Sequence, residues 1–210
     1  MNEHPILFSA PMVRAILEGK KTQTRRVIKP QPKCPSLLFY VDDREWRDGD
    51  GTHLKCPYGV PGDQLWVREA WARSQRLDRL PPRKLEFLTA NPDFPKSTIY
   101  YRADSCDGIN PLRGKWRPSI HMPRWASRLT LEVAGVRVER LQNITEEDVF
   151  AEGCNLHHPP DPNVLPTPEE YGSWHIPLFV NLWNSLNAKR GFGWETNPWV
   201  WVVTFKEIRQ

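Results

Sequence analysis

The chain of 210 residues has no apolar run long enough to cross a bilayer. Its opening stretch, "MNEHPILFSAP", has no basic leader, and its apolar run is too short for a signal peptide. The expectation is a cytoplasmic protein with no membrane partner. Cysteine is scarce: there are four, with no C-x-x-C pair among them. In a reducing compartment these read as free thiols. Cys34 and Cys56 share a Lys-Cys-Pro setting, and His53 stands three residues before Cys56. A zinc site, however, calls for paired short spacings, so neither a metal nor another cofactor is expected. No internal repeat and no low-complexity tract occurs, which excludes a repeat architecture.

The chain is long enough for one sizeable core with excursions from it. Its formal charge of +4 permits an anionic partner without requiring one. The basic excess is concentrated early, in Lys20, Lys21, Arg25, Arg26, Lys29 and Lys33. Ten tryptophans and 21 prolines stand out. Large amphipathic rings either fill a core or stack on flat ligands. The prolines break the chain into short elements.

Residues 9–19, "SAPMVRAILEG", read as a helix. Ser9 or Ala10 caps it, Pro11 suits its first turn, Met12, Ala15, Ile16 and Leu17 form its apolar stripe, and Gly19 ends it. "TQTRRVI" reads as a strand with Thr22, Thr24 and Arg26 on one face. "GDQLWVREAW" is a second strand and "STIYYRA" a third. In "RLTLEVAGVRVERL" the apolar alternation slips at Gly135, the signature of a bulge that bends a strand. "ITEEDVFAEG" carries a capping box, Thr145 with Asp148, and a hydrophobic staple, Ile144 with Val149. "IPLFVNLWNSLN" is an amphipathic helix. "NPWVWVVTF" is apolar on both faces, hence a central or barrel-forming strand. The prediction is a single α+β domain over residues 1–210: a small β-barrel with a few packed helices. Pro-rich insertions are expected near 29–61, 72–125 and 154–178.

Two features point to a site. Lys20 and Lys21 follow the C-terminal end of a helix, where the dipole favours cations. That placement explains one of them structurally, and Thr24 equally suits a strand as a β-branched residue. Glu152 is harder to explain. It sits in the last turn of its short helix, where a carboxylate is disfavoured, and on the side of the core-facing stripe. Residues that break local rules concentrate at functional sites.

"GKKTQTRR" resembles the G-x-K-x-x-x-x-R signature of ASCH domains, with Gly19, Lys21 and Arg26 in its positions. The "PGDQLWVREAW", "HMPRWASRLTLEV" and "NPWVWVVTF" segments resemble the larger ASCH proteins often encoded by phages and prophages. The resemblance implies a fold similar to the PUA domain, with a cleft against the helix that precedes the signature. Within this family, bacterial N4-acetylcytidine amidohydrolases use a Lys, a Thr three residues later, and a late Glu. Lys21, Thr24 and Glu152 match that pattern, although those enzymes are much shorter than this chain.

The implied chemistry is amide hydrolysis on an acylated cytidine or a related modified nucleoside. A threonine hydroxyl becomes a nucleophile when a neighbouring base takes its proton, and a lysine serves as that base once desolvation or nearby cations lower its pKa. A glutamate can orient the lysine. In an ideal strand Lys21 and Thr24 point to opposite faces, so Lys21 must precede the strand. The candidate substrate contacts are Gly19, Lys20 and Arg26 near the signature, and Arg68, Glu69, Trp116 and Arg124 beyond it. The alternative reading is an RNA-binding module, with single-strand cleavage as a further option. There Arg68, Lys115, Arg117, Arg124 and Arg128 would track phosphates, and Trp71, Trp116 or Trp125 would stack bases.

Overall fold

The computed structural model describes residues 1–33, 39–42, 45–80, 99–104, 110–154 and 168–208. Its elements in chain order are β1 (Glu3–Leu7), α1 (Ala10–Leu17), β2 (Gln23–Val27), β3 (Phe39–Asp42), β4 (Glu45–Arg47), β5 (His53–Leu54), β6 (Gln64–Arg68), β7 (Trp71–Arg73), β8 (Ile99–Tyr101), β9 (Thr130–Arg140), α2 (Glu146–Ala151), α3 (Pro168–Asn187) and β10 (Trp199–Glu207), with short 3-10 turns between them. The class is α+β. Five strands form the main sheet in the order β1-β6-β9-β10-β2. All its pairings are antiparallel except β1 with β6.

Strand β10 is central, as its two apolar faces require. Alternation divides its residues between two cores. Trp201, Val203 and Phe205 join Ile6, Leu65, Val67, Leu131 and Val133 in the larger one, which Val13 and Ile16 of α1 also enter. Val200 and Val202 face the other way, against Val149 of α2 and Phe179 and Trp183 of α3. The bulge expected at Gly135 is present: Thr204 pairs with Gly135 and Phe205 with Val133, so Ala134 is the extra residue. A Cβ on Gly135 would meet Thr204 Oγ1 at 2.8 Å, so the close crossing of β9 and β10 requires glycine there.

Among the described residues the ladder is not closed into a barrel. β1 and β2 are its two edges, and no backbone pairing joins them. Two contacts border this seam instead: Arg26 Nη2 of β2 donates to Leu7 O at the end of β1 (2.6 Å), and the Arg26 guanidinium lies 5.3 Å from the Phe8 ring.

Several sequence expectations need correction. β1 was not expected; His4-Pro5 disguises it, but proline is tolerated on an edge strand. The 29–61 stretch, expected to be mostly loop, contains the three-stranded sheet β3-β4-β5. The buried stripe of α1 is Val13 and Ile16, whereas Leu17 is exposed. α3 begins at Pro168, ahead of the expected helix, and runs through Pro177. Proline suits a first turn, and the acidic pair Glu169-Glu170 that follows is a start signal the loop reading passed over. Cys34, Cys106 and much of the 72–125 and 154–178 insertions lie outside the described residues. None of the helices among the described residues is long and apolar enough to cross a membrane.

Candidate functional site

The site is assembled at two helix ends. After α1 the chain turns at Gly19, whose φ of 71° suits a residue without a Cβ. The amides of Lys20 and Lys21 then fold back onto Ala15 O at 2.8 and 2.9 Å. Lys21 therefore precedes β2, as the Lys–Thr pairing requires. α2 starts with the expected capping box: Asp148 N donates to Thr145 Oγ1 (3.2 Å) and Thr145 N to Asp148 Oδ2 (3.4 Å). It ends at Glu152, which pairs with Lys21 in an isolated antiparallel bridge. Gly153 makes the bridge possible. Its φ is 79°, and a Cβ there would lie 3.0 Å from Lys21 Cβ and 3.1 Å from Ala15 Cβ.

The Lys21 side chain is fully buried. Its Nζ donates to Glu152 Oε2 (2.8 Å), Glu152 O (2.7 Å) and Gln23 O (2.7 Å). An ammonium has three donors, and all three are engaged. The two side chains meet across 131 residues of sequence. Glu152 is buried, as its inward position predicts.

Behind this pair lies a charge network that sequence reasoning missed. Arg25 is buried and reaches Glu152 Oε1 (3.5 Å), Asp148 Oδ2 (2.7 Å) and Glu139 Oε2 (3.2 Å). Arg137 Nη2 donates to Asp148 Oδ1 (2.9 Å), and its Nε pairs with Glu139. Gln23 bridges Asp148 and Arg137. Three cations thus meet three carboxylates. Burial raises the Asp148 carboxyl, but the Gln23 hydrogen bond and the Arg25 charge outweigh it and bring the pKa down to about 2. Burial, with Glu152 adding to it and Lys21 opposing, pushes the nearby Cys154 thiol up to about 11. A signal for the network was available. Alternation places Gln23 and Arg25 together on one face of β2, and an inward arginine demands carboxylates.

Thr24 pairs with Val203 of β10 and is buried, yet it lines an open cleft of about 870 Å³. Its hydroxyl makes no hydrogen bond with Lys21 or with any other described residue. Glu152 lines the same cleft, as do Phe8 and Met12 beside the sheet seam, Tyr58 and Lys55 from the segment after β5, and Trp183 and Leu186 of α3. Arg26 lies between rings, 5.3 Å from Phe8 and 5.9 Å from Tyr58. Burial lowers the pKa of its guanidinium, against the opposing influence of Tyr58 and Glu152.

Of the other expected substrate contacts, none lines the cleft. Gly19 forms the turn, and Lys20 pairs with Glu18 at 2.6 Å. Arg68 donates to Ile120 O and lies 5.3 Å from the Trp66 ring. Glu69 is buried and held by Arg128 at 2.9 Å; burial raises its pKa, and Arg128 opposes the shift. Trp116 packs near the guanidinium groups of Arg113 (4.4 Å) and Arg102 (5.2 Å). Arg124 grips Glu3 with two hydrogen bonds of 2.9 and 2.7 Å. No group of three His, Cys, Asp or Glu among the described residues is placed to hold a metal ion. No family model, no curated protein and no solved structure matches the chain.

Proposed function

We propose that the chain is an amidohydrolase that removes an acyl group from N4-acylated cytidine or a related modified nucleoside, on an ASCH-type, PUA-like scaffold. In this reading the five-stranded sheet is such a barrel left open between β1 and β2, and the seam is the mouth of the site. The observation that supports it is the position of Thr24 and Glu152 on one cleft, with Lys21 buried against Glu152. These are the three residues that resemble the amidohydrolase pattern.

The chemistry runs as follows. Lys21 passes one proton to Glu152, turning a buried ion pair into a neutral pair. The freed amine turns from Gln23 O toward Thr24 and takes the hydroxyl proton as Oγ attacks the acyl carbon. The tetrahedral intermediate collapses to a threonine ester, and the cytosine amine leaves with a proton returned by Lys21. Water, activated by the same base, hydrolyses the ester and restores Thr24. Arg25 supplies a fixed positive charge next to Glu152 throughout.

The RNA-binding reading draws on one observation of its own: Lys29, Lys55 and Arg190 line the same cleft. Incubation of the pure protein with N4-acetylcytidine and with labelled single-stranded RNA separates the two. The amidohydrolase releases acetate and cytidine. RNA capture or cleavage without acetate release would establish the alternative.

A further inference from the structure

The outer part of the cleft is built by residues that the chemistry above does not use. Lys55 follows β5, Lys29 follows β2, and Arg190 follows α3. All three are exposed, and among the described residues no carboxylate lies within 4.0 Å of any of them. Lys115 and Lys189 are also exposed with no such partner among the described residues, but neither lines the cleft, and several other surface cations are paired. Lys20, Lys206, Arg117 and Arg124 each have a carboxylate partner at 3.2 Å or closer. Among the described residues that line the cleft, Glu152 is the only carboxylate, and it is already engaged by Lys21 and Arg25.

Arg26 links the inner and outer parts. It stands two residues after Thr24 in β2, so the two share a strand face about 7 Å apart. One of its Nη atoms is committed to Leu7 O. Its Nε is buried with no hydrogen-bond partner. A guanidinium with idle donors on a cleft wall, with three uncompensated cations farther out, is a receptor for an oxyanion.

We propose that the substrate of this site carries a phosphate: the acylated base lies against Thr24, and a phosphoester attached to its ribose is held by Arg26, Lys29, Lys55 and Arg190. This rests on the amidohydrolase reading and narrows its substrate class from a nucleoside to a phosphorylated nucleoside. Two sources share the chemistry, a free nucleotide and a nucleotide within a strand. The exposed lysines and Arg190 contribute by charge, so the preference should weaken as salt rises.

The test is titration of the full chain at low salt with cytidine, cytidine 5′-monophosphate and a trinucleotide with central cytidine. The expected result is monophosphate binding about tenfold tighter than cytidine, each exposed ion pair adding modestly. In Lys29→Ala/Lys55→Ala/Arg190→Ala that ratio should fall toward one. Trinucleotide binding tighter than the monophosphate assigns the phosphate to a strand; equal binding assigns it to a free nucleotide. Equal binding of cytidine and its monophosphate, no binding of either, or an unchanged ratio in the triple variant would overturn the proposal. Acetate release from N4-acetylcytidine is followed in parallel. Its absence counts against the hydrolytic reading alone, because the titrations use ligands without an acyl group.

Discussion

Two stretches of this chain look equally basic on paper, and the fold uses them in opposite ways. In residues 113–128 the arginines are tied up and Lys115 is left without a carboxylate among the described residues: Arg117 pairs with Asp78, Arg124 with Glu3, Arg128 with Glu69 and Asp104, while Trp116 packs near Arg113 and Arg102. In residues 20–29 they are sorted. Lys21 and Arg25 are buried in a balanced network, whereas Arg26 and Lys29 line the cleft with no carboxylate within 4.0 Å among the described residues. A run of positive charge therefore says little about a partner until its carboxylates are located. The first stretch is a structural clasp, and the second is a clasp that also lines a cleft.

Removing a partner from the buried network should have the largest effect. Glu152→Gln leaves Lys21 and Arg25 facing a neutral amide, and loss of one member of a buried pair costs about 3–5 kcal/mol. Denaturant unfolding should show this. The double variant Lys21→Met/Glu152→Gln should recover part of it, since a buried methionine needs no counter-charge. An effect below about 1 kcal/mol for the single variant would mean that the network is not the clasp described here.

A smaller effect is expected from the glycines. Gly153→Ala meets both a left-handed backbone and the Lys21 and Ala15 side chains, and should cost about 2–3 kcal/mol. Gly19→Ala has a similar φ but nothing within 4 Å, so about 1 kcal/mol is expected. Equal losses would show that the close approach of Gly153 to Lys21 contributes nothing.

Acid sensitivity gives a third handle. The Asp148 carboxyl lies below its ordinary value in the folded state, so its contribution is complete above about pH 4 and is lost as pH falls toward about 2. Because the group is partly solvated, that contribution is on the order of 1 kcal/mol. Asp148→Asn should flatten the stability profile in this window and lower stability at neutral pH. An unchanged profile would remove Asp148 from the network. Smallest of all, Arg124→Ala should change stability by less than about 1 kcal/mol, because its pair with Glu3 is exposed. A loss of ligand binding in Arg124→Ala would return residues 113–128 to the functional surface.

Much of the fold was legible because its signals are local. The phase slip at Gly135, the Thr145–Asp148 capping box and the doubly apolar β10 each announce a backbone event within a few residues. Glu152 was legible for a related reason: a carboxylate at a helix C-terminus conflicts with its own element. β1 was not legible, since five residues containing Pro5 carry no clear alternation, and their parallel partner β6 lies about 60 residues away. The fate of each arginine was not legible either. Glu3 claims Arg124 across 121 residues, and Asp78 claims Arg117 across 39. Pairing over such distances is a property of the folded topology, which spacing does not encode. Gln23 and Arg25 lay between the two cases: alternation put them on one face, but only the fold brought Asp148 and Glu139 to them.

In the proposed reaction Thr24 is a nucleophile served by the Lys21–Glu152 pair. Acetate release from N4-acetylcytidine by the wild type, Thr24→Ser and Thr24→Ala tests it most directly. Wild type should turn over, Thr24→Ser should keep measurable activity because the hydroxyl survives, and Thr24→Ala should lose about 10³-fold or more. Thr24→Ala releasing acetate at the wild-type rate would contradict the account.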